Sequence, residues 1–69
     1  MKFQAAYTYL LAGHKITLPE WKGYWYWDDK DKMIIMHTKD GEDIRFVDTH
    51  DLTFTMSFLF RDDWIKFRW

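Results

Sequence analysis

The run Gly23-Tyr24-Trp25-Tyr26-Trp27 decides the fold of this chain. Successive side chains of a β-strand point to opposite faces of the sheet, so a strand here puts tyrosines on one face and tryptophans on the other. A small domain buries one such face in its core. The other face is then available to a partner subunit or a flat ligand, because aromatic rings give large contact areas at little cost in conformational entropy.

The segment before this strand predicts an amphipathic helix over residues 3–12. Its apolar side chains recur at helical spacing, and Gly13 follows the last of them as a helix cap would: Phe3, Ala6, Tyr7, Leu10 and Leu11. Residues 15–18 are predicted to be extended, and Pro19 ends that segment.

The segments after the strand predict the rest of a small antiparallel sheet. Residues 28–32 form a charged turn and residues 33–38 a strand, and Asp40-Gly41 marks a hairpin to a return strand over 43–47. Residues 52–55 are predicted to be a further short strand, residues 56–61 a short helix with Thr55 as its N-cap, and residues 64–69 the last strand. The predicted fold is therefore α+β in one domain, residues 1–69: an N-terminal helix packed on a small antiparallel sheet, with a short second helix before the last strand.

Composition favours self-association. The chain has 69 residues, of which 48% are apolar and 22% aromatic, and a domain of this size buries only about 60% of its unfolded surface. It has no cysteine for disulfides, and its three histidines lack the spacing of metal ligands. We therefore predict no metal and no cofactor, and a homo-oligomer, preferably a tetramer built as a dimer of dimers.

Charge and hydropathy exclude two classes of partner. The net charge is −1 and acidic and basic residues are interspersed, so no basic stripe indicates nucleic-acid binding. No apolar stretch approaches the roughly 20 residues of a membrane span, and the first residues lack the pattern of a signal peptide. We expect no nucleic acid, no membrane and a cytoplasmic location.

The sequence offers no convincing catalytic group. Asp62-Asp63 is the tight carboxylate pair outside a turn, but adjacent residues on a strand point apart, and at a helix end they are more often solvated. His37 is interpreted as a packed or surface histidine. We predict no catalytic residue, a structural role for Trp64, and a role for Asp62 in ordering the helix end or its neighbouring loop.

A binding site is predicted from the surplus of aromatic residues. Five tryptophans exceed what one small core accommodates, so one or two should line a pocket or an interface. Trp21 and Tyr24 are the predicted aromatic ligand-binding residues, because stacking on a base contributes about 1–3 kcal/mol. The predicted polar ligand-binding residues are Arg45, which suits phosphate, Thr53 and Thr55.

Four motifs, taken in order, resemble one family over residues 3–67. They are Phe3-x-x-Ala6-x-x-x-Leu10-x-x-Gly13-x-Lys15-Ile16, Trp21-x-Gly23-Tyr24, His37-Thr38-Lys39-Asp40-Gly41 and Leu59-x-x-Asp62-Asp63-Trp64. Together they resemble the second Thoeris anti-defence family of phage proteins. In one position the chain departs from that family, because Leu18 stands where its members commonly have an arginine.

The resemblance implies a function. Members of that family are sponges that bind cyclic ADP-ribose isomers or cyclic dinucleotides without cleaving them, and they are homotetramers with pockets between subunits. This chain is accordingly expected to sequester a cyclic nucleotide signal in the cytoplasm of an infected bacterium. If the family's arginine helps to hold phosphate or to order the sheet, Leu18 would change the choice of ligand. The alternatives are a small phage inhibitor that contacts a host defence enzyme directly, and an enzyme that cleaves the signal.

Overall fold

A five-stranded antiparallel sheet with a helix on one face forms the body of the computed structural model, which describes residues 1–67. The helix is α1, Phe3–Leu11. The strands are β1 (Ile16–Thr17), β2 (Tyr24–Asp28), β3 (Met33–His37), β4 (Asp43–Arg45) and β5 (Ile65–Lys66), in the spatial order β4-β3-β2-β1-β5. A second helix, α2 (Leu52–Ser57), continues into the 3₁₀ turn Phe58–Phe60 before β5. The α+β prediction is confirmed.

The tryptophan face of β2 is the face that α1 covers. Ala6 and Leu10 of α1 are fully buried, and Trp25 of β2 is 3% exposed. Trp25 lies opposite Met36 and Trp27 opposite Ile34 across the β2–β3 ladder, and these side chains pack on the core that also contains Ile16, Leu18 and Trp64. The tyrosine face, which carries Tyr24 and Tyr26, is therefore turned away from α1.

Trp64 closes this core, as predicted. Its side chain is fully buried, and its indole Nε1–H donates a hydrogen bond of 3.1 Å to the carbonyl oxygen of Phe58. Its ring lies 4.9 Å from that of Trp25 and 5.5 Å from that of Phe3. The hydrogen bond matters because a buried indole N–H left unpaired is costly.

Three predicted elements need correction. The return strand ends at Arg45 rather than Val47, because the chain turns into a short 3₁₀ helix, Phe46–Asp48. The predicted strand over residues 52–55 is wrong, because α2 begins at Leu52. Its N-cap is Asp51 rather than Thr55: the Asp51 Oδ1 accepts a hydrogen bond of 3.0 Å from the Phe54 N–H, which has no carbonyl partner in the first turn.

The last strand is shorter than predicted. It comprises Ile65–Lys66 and pairs with β1, while residues 68–69 of the predicted strand lie outside the described residues. The predicted role of Asp62 at the helix end falls instead to Asp63, which with Glu20 forms ion pairs with Arg61. Within residues 1–67 no helix has the length and apolar character needed to cross a membrane.

Candidate functional site

A cleft opens where the loop before β2, the adjoining ends of β2 and β3, and α2 meet. Its volume is about 480 Å³, which lies in the range of small-molecule sites. We call it the Trp21 cleft; its lining includes Glu20, Trp21, Lys22, Gly23, Tyr24, Trp25, Met36, His37, Thr38, Lys39, Thr55 and Phe58.

Trp21 forms an aromatic wall that is anchored to the core. It is half-buried, and its ring centroid lies 4.9 Å from that of Phe58, 5.6 Å from that of Trp64 and 5.7 Å from that of Trp25. The Trp21 N–H also donates a 3.0 Å hydrogen bond to the carbonyl oxygen of Leu18, which closes a turn around Pro19. These contacts hold the indole in place before any ligand arrives, which lowers the entropy cost of binding.

Gly23 brings the aromatic strand close to β3. A Cβ at this position would lie 2.2 Å from the carbonyl oxygen of His37, so only glycine fits here. The approach places Tyr24 against His37, with ring centroids 4.7 Å apart and planes inclined by 19°. The Lys15 Nζ lies 4.6 Å from the Tyr24 ring centroid. Tyr24 is thus held by its neighbours rather than swinging freely.

The charges around the cleft favour an anionic ligand. Glu20 is its acidic residue, and Arg61 neutralises it, donating to Glu20 Oε1 at 3.2 Å. Hydrogen bonding to Arg61 lowers the pKa of the Glu20 carboxyl. Lys22 and Lys39 also line the cleft, and within residues 1–67 neither takes part in a salt bridge. Their positive charges therefore remain available to a ligand.

The structure brings three of the five predicted ligand-binding residues together. Trp21, Tyr24 and Thr55 all line the Trp21 cleft. The Thr55 side chain is buried and its hydroxyl donates to the Asp51 carbonyl oxygen at 3.0 Å, so its oxygen is left to accept.

The other two predicted residues lie elsewhere. Arg45 is on β4, where it forms a 3.6 Å ion pair with Asp48. Thr53 is exposed on α2. Neither lines the cleft of a single chain, and their role as ligand-binding residues stays a prediction.

A network of polar side chains on the tyrosine face was not anticipated. His37 Nδ1 lies 2.6 Å from Asp43 Oδ1, and the Tyr26 hydroxyl donates to Asp43 Oδ2 at 3.2 Å. Burial and the hydrogen bond to Asp43 raise the pKa of Tyr26, so this hydroxyl keeps its proton. The turn is closed by a 2.8 Å hydrogen bond from the Thr38 N–H to the Glu42 carbonyl oxygen, and this register puts His37 directly opposite Asp43. A two-residue Asp40-Gly41 turn would pair His37 with Ile44 instead, so the sequence motif did not reveal the pair.

Comparisons of the chain with protein-family models, with curated proteins and with solved structures gave no match. The resemblance to the Thoeris anti-defence family therefore rests on the sequence motifs quoted above. Within residues 1–67, no three side chains of histidine, cysteine, aspartate or glutamate are grouped as metal ligands.

Proposed function

We propose that this protein is a phage anti-defence protein that binds and sequesters a cyclic nucleotide immune signal, a cyclic ADP-ribose isomer or a cyclic dinucleotide, without cleaving it. It would act in the cytoplasm of the infected bacterium. The proposal combines the family resemblance of the sequence with the chemistry of the Trp21 cleft.

The observation that carries the proposal is the pairing of aromatic rings with unpaired lysines in one cleft. A cyclic nucleotide presents flat bases and negatively charged phosphates. Trp21 and Tyr24 supply aromatic surface, and Lys22 and Lys39 supply positive charge. The hydroxyl of Thr38 donates to no residue of the described chain and lies in the same cleft, where it can bond a ribose or phosphate oxygen.

The proposal includes a homotetramer. The cleft is open on one side, and a second copy of the chain would enclose a ligand more completely, as the resemblance implies. In such an assembly Arg45 and Thr53 could reach a ligand held by a neighbouring subunit, although they lie outside the cleft of their own.

The proposal is tested by a thermal-shift screen against cyclic ADP-ribose isomers and cyclic dinucleotides. A ligand that binds the native state alone raises the unfolding temperature by mass action. The retained ligand is then released by heat and identified by mass spectrometry. Intact ligand supports sequestration, altered ligand supports an enzyme, and no stabilisation by any member of the panel overturns the proposal.

Charge-removing variants give the screen a matched control. Lys22→Ala and Lys39→Ala remove positive charge at the cleft and should each weaken binding by roughly tenfold, the effect of one charge-assisted hydrogen bond. Lys30→Ala removes the same charge in the exposed turn after β2, away from the cleft, and should leave the affinity unchanged. Equal losses for all three variants would indicate a general charge effect and would remove the cleft as the site.

A second candidate function, direct inhibition of a host defence enzyme, is favoured by the surface of α2. Phe54 is 62% exposed and Phe60 is 87% exposed. Large exposed aromatic side chains are typical hot spots of protein–protein contact. Retention of a host protein by the parent, lost in Phe60→Ser and unaffected by ligand, would favour this alternative.

A further inference from the structure

His37 is held in a defined tautomer by its neighbours. The carboxylate of Asp43 accepts hydrogen bonds only, so the 2.6 Å contact places a hydrogen on His37 Nδ1. The second oxygen of Asp43 is occupied by the Tyr26 hydroxyl. Because Nδ1 carries the hydrogen, Nε2 has a lone pair in the neutral ring and an N–H in the protonated ring.

The ring of His37 is held in place, but its Nε2 atom makes no hydrogen bond within residues 1–67. Tyr24 stacks on the imidazole at 4.7 Å, and the side chain of His37 remains 30% exposed. Within residues 1–67, Nε2 has no hydrogen-bond partner. An oriented imidazole with one nitrogen free of hydrogen bonds, on a residue that lines a cleft, can bind a ligand atom.

His37 lies between two concave surfaces. It lines the Trp21 cleft and also a second hollow of about 310 Å³ on the tyrosine face. The charged and titratable groups of these two surfaces come from every neighbouring element: Asp43 from β4, Tyr24 and Tyr26 from β2, Lys15 before β1, Glu20 and Lys22 before β2, and Lys39 after β3.

The balance of these groups favours a negatively charged ligand atom near His37. Asp43 is bonded to His37 and Tyr26, and Glu20 is bonded to Arg61. Arg61 neutralises Glu20, and both oxygens of Asp43 are occupied by hydrogen bonds within the protein, whereas Lys22 and Lys39 form no salt bridge with either acid.

We propose that protonated His37 donates a hydrogen bond from Nε2 to a phosphate oxygen of the ligand in the Trp21 cleft. This inference rests on the proposed function and specifies which group recognises the phosphate. A lysine stays charged near neutral pH, so a lysine contact does not make binding depend on pH there, whereas a histidine contact does. Bound phosphate stabilises the protonated ring, so binding takes up a proton and the affinity falls as pH rises.

The test uses ADP-ribose, which carries a base and a pyrophosphate diester whose charge is constant near neutral pH. The imidazole resonances of the three histidines are followed by NMR as pH is varied, with and without ADP-ribose. We expect His37 alone to titrate at a higher pH when ADP-ribose is present, and the affinity to weaken by roughly tenfold between about pH 5.5 and pH 8.

Two variants complete the test. His37→Gln keeps a hydrogen-bonding side chain without the titrating charge, and it should bind ADP-ribose with little dependence on pH. His50→Gln removes an exposed histidine of the loop before α2 and should behave as the parent. An unchanged His37 titration with ADP-ribose, or an unchanged pH dependence in His37→Gln, overturns the inference.

The outcomes separate this inference from the proposed function. A shifted His37 titration without stabilisation by any cyclic nucleotide would reject the cyclic nucleotide sponge and keep the phosphate contact. Stabilisation by a cyclic nucleotide without a change in the His37 titration would keep the cyclic nucleotide sponge and reject the phosphate contact of His37.

Discussion

At the scale of single residues, Trp64 joins the parts of the core. Its indole contacts rings from α1, from β2 and from the loop that carries Trp21. Because the Trp21 cleft is built on that loop, the stability of the core and the shape of the cleft depend on the same side chain.

We expect Trp64→Ala to lower the free energy of unfolding by about 3–5 kcal/mol, as truncation of large buried aromatic residues does. Trp64→Phe keeps an aromatic ring but loses the hydrogen bond to Phe58, so it should be intermediate. Chemical denaturation measures both variants. A stable Trp64→Ala protein that has lost only ligand binding would mean that Trp64 belongs to the site rather than to the core.

Gly23 is a second residue whose replacement has a specific consequence. In Gly23→Ala the new Cβ would meet the backbone of His37 at 2.2 Å, and backbone cannot move aside as a side-chain tip can. We expect a loss of roughly 1–3 kcal/mol in stability, together with weaker ligand binding, because Tyr24 and His37 would separate. An unchanged denaturation midpoint would contradict the close approach.

The sequence identified some site residues and missed others for physical reasons. Trp21, Tyr24 and Thr55 were chosen by residue type, and the fold places them in one cleft. Lys39 and His37 join them only because β2 and β3 pair in a particular register, with Tyr24 opposite His37. Residue type alone gives no such cross-strand neighbours, because they depend on the register across the turn over residues 29–32 that joins β2 to β3.

At the scale of elements, α2 shows where local patterns mislead. Residues 52–55 alternate large apolar residues with threonines, which resembles a strand. The competing signal is Asp51, an N-cap residue at the end of a polar loop. Phe54 and Phe58, at helical i, i+4 spacing, then contact each other at 5.1 Å. The longer elements α1, β2 and β3 carried enough periodic residues to be predicted correctly.

The cap gives a direct test of this element. Asp51→Ala should lower stability by about 1 kcal/mol, a typical cost of losing an N-cap side chain. Asp51→Asn preserves an acceptor oxygen, so its stability should fall by only a few tenths of a kcal/mol. Thermal unfolding compares the two, and equal stability of Asp51→Ala and the parent would remove the assigned capping role.

The Arg61 ion pairs link two further elements, the loop before β2 and the segment before β5. Hydrogen bonds from Arg61 lower the pKa values of Glu20 and Asp63 in the folded protein. A carboxyl whose pKa is lower in the folded than in the unfolded state stabilises the fold above its ordinary pKa. That stabilisation is lost as pH falls through the folded value.

We therefore expect the unfolding temperature of the parent to fall on acidification below about pH 4.5, the ordinary value for glutamate. The unfolding temperature of Arg61→Gln should be lower than that of the parent at neutral pH, and it should fall less on acidification. Lys32→Gln is the matched control, because it removes an exposed ion pair with Asp29 within one turn and such pairs contribute little. Parallel pH profiles for the parent and Arg61→Gln would contradict the linkage.

At the scale of the whole molecule, apolar surface remains outside the core, and two regions of it are candidates for self-association. One is the surface of α2 and its 3₁₀ turn, with Phe54 and Phe60. The other is the tyrosine face, where Ile65 is 44% exposed. Both agree with the proposal that this chain associates with copies of itself.

We expect light scattering to give roughly four times the 8.6 kDa mass of the chain. Phe60→Ser and Ile65→Ser each remove apolar surface in one of the two regions, and at least one should reduce the mass. Leu11→Ser changes an apolar residue at the end of α1 that is 51% exposed, and it should leave the measured mass unchanged. If the parent is monomeric at micromolar concentration, the proposed tetramer is rejected.

The short outer strands of the sheet bear on how copies of this chain can join edge to edge. β4 has three residues and β5 has two, and they form the two edges. Long exposed edges present rows of unpaired amides and carbonyls that recruit further strands into fibrils. Edges this short give a recruited strand little to bond to. In the proposed oligomer, copies of the chain would therefore meet through side-chain contacts, which can close at a finite number of copies, rather than through open-ended strand addition.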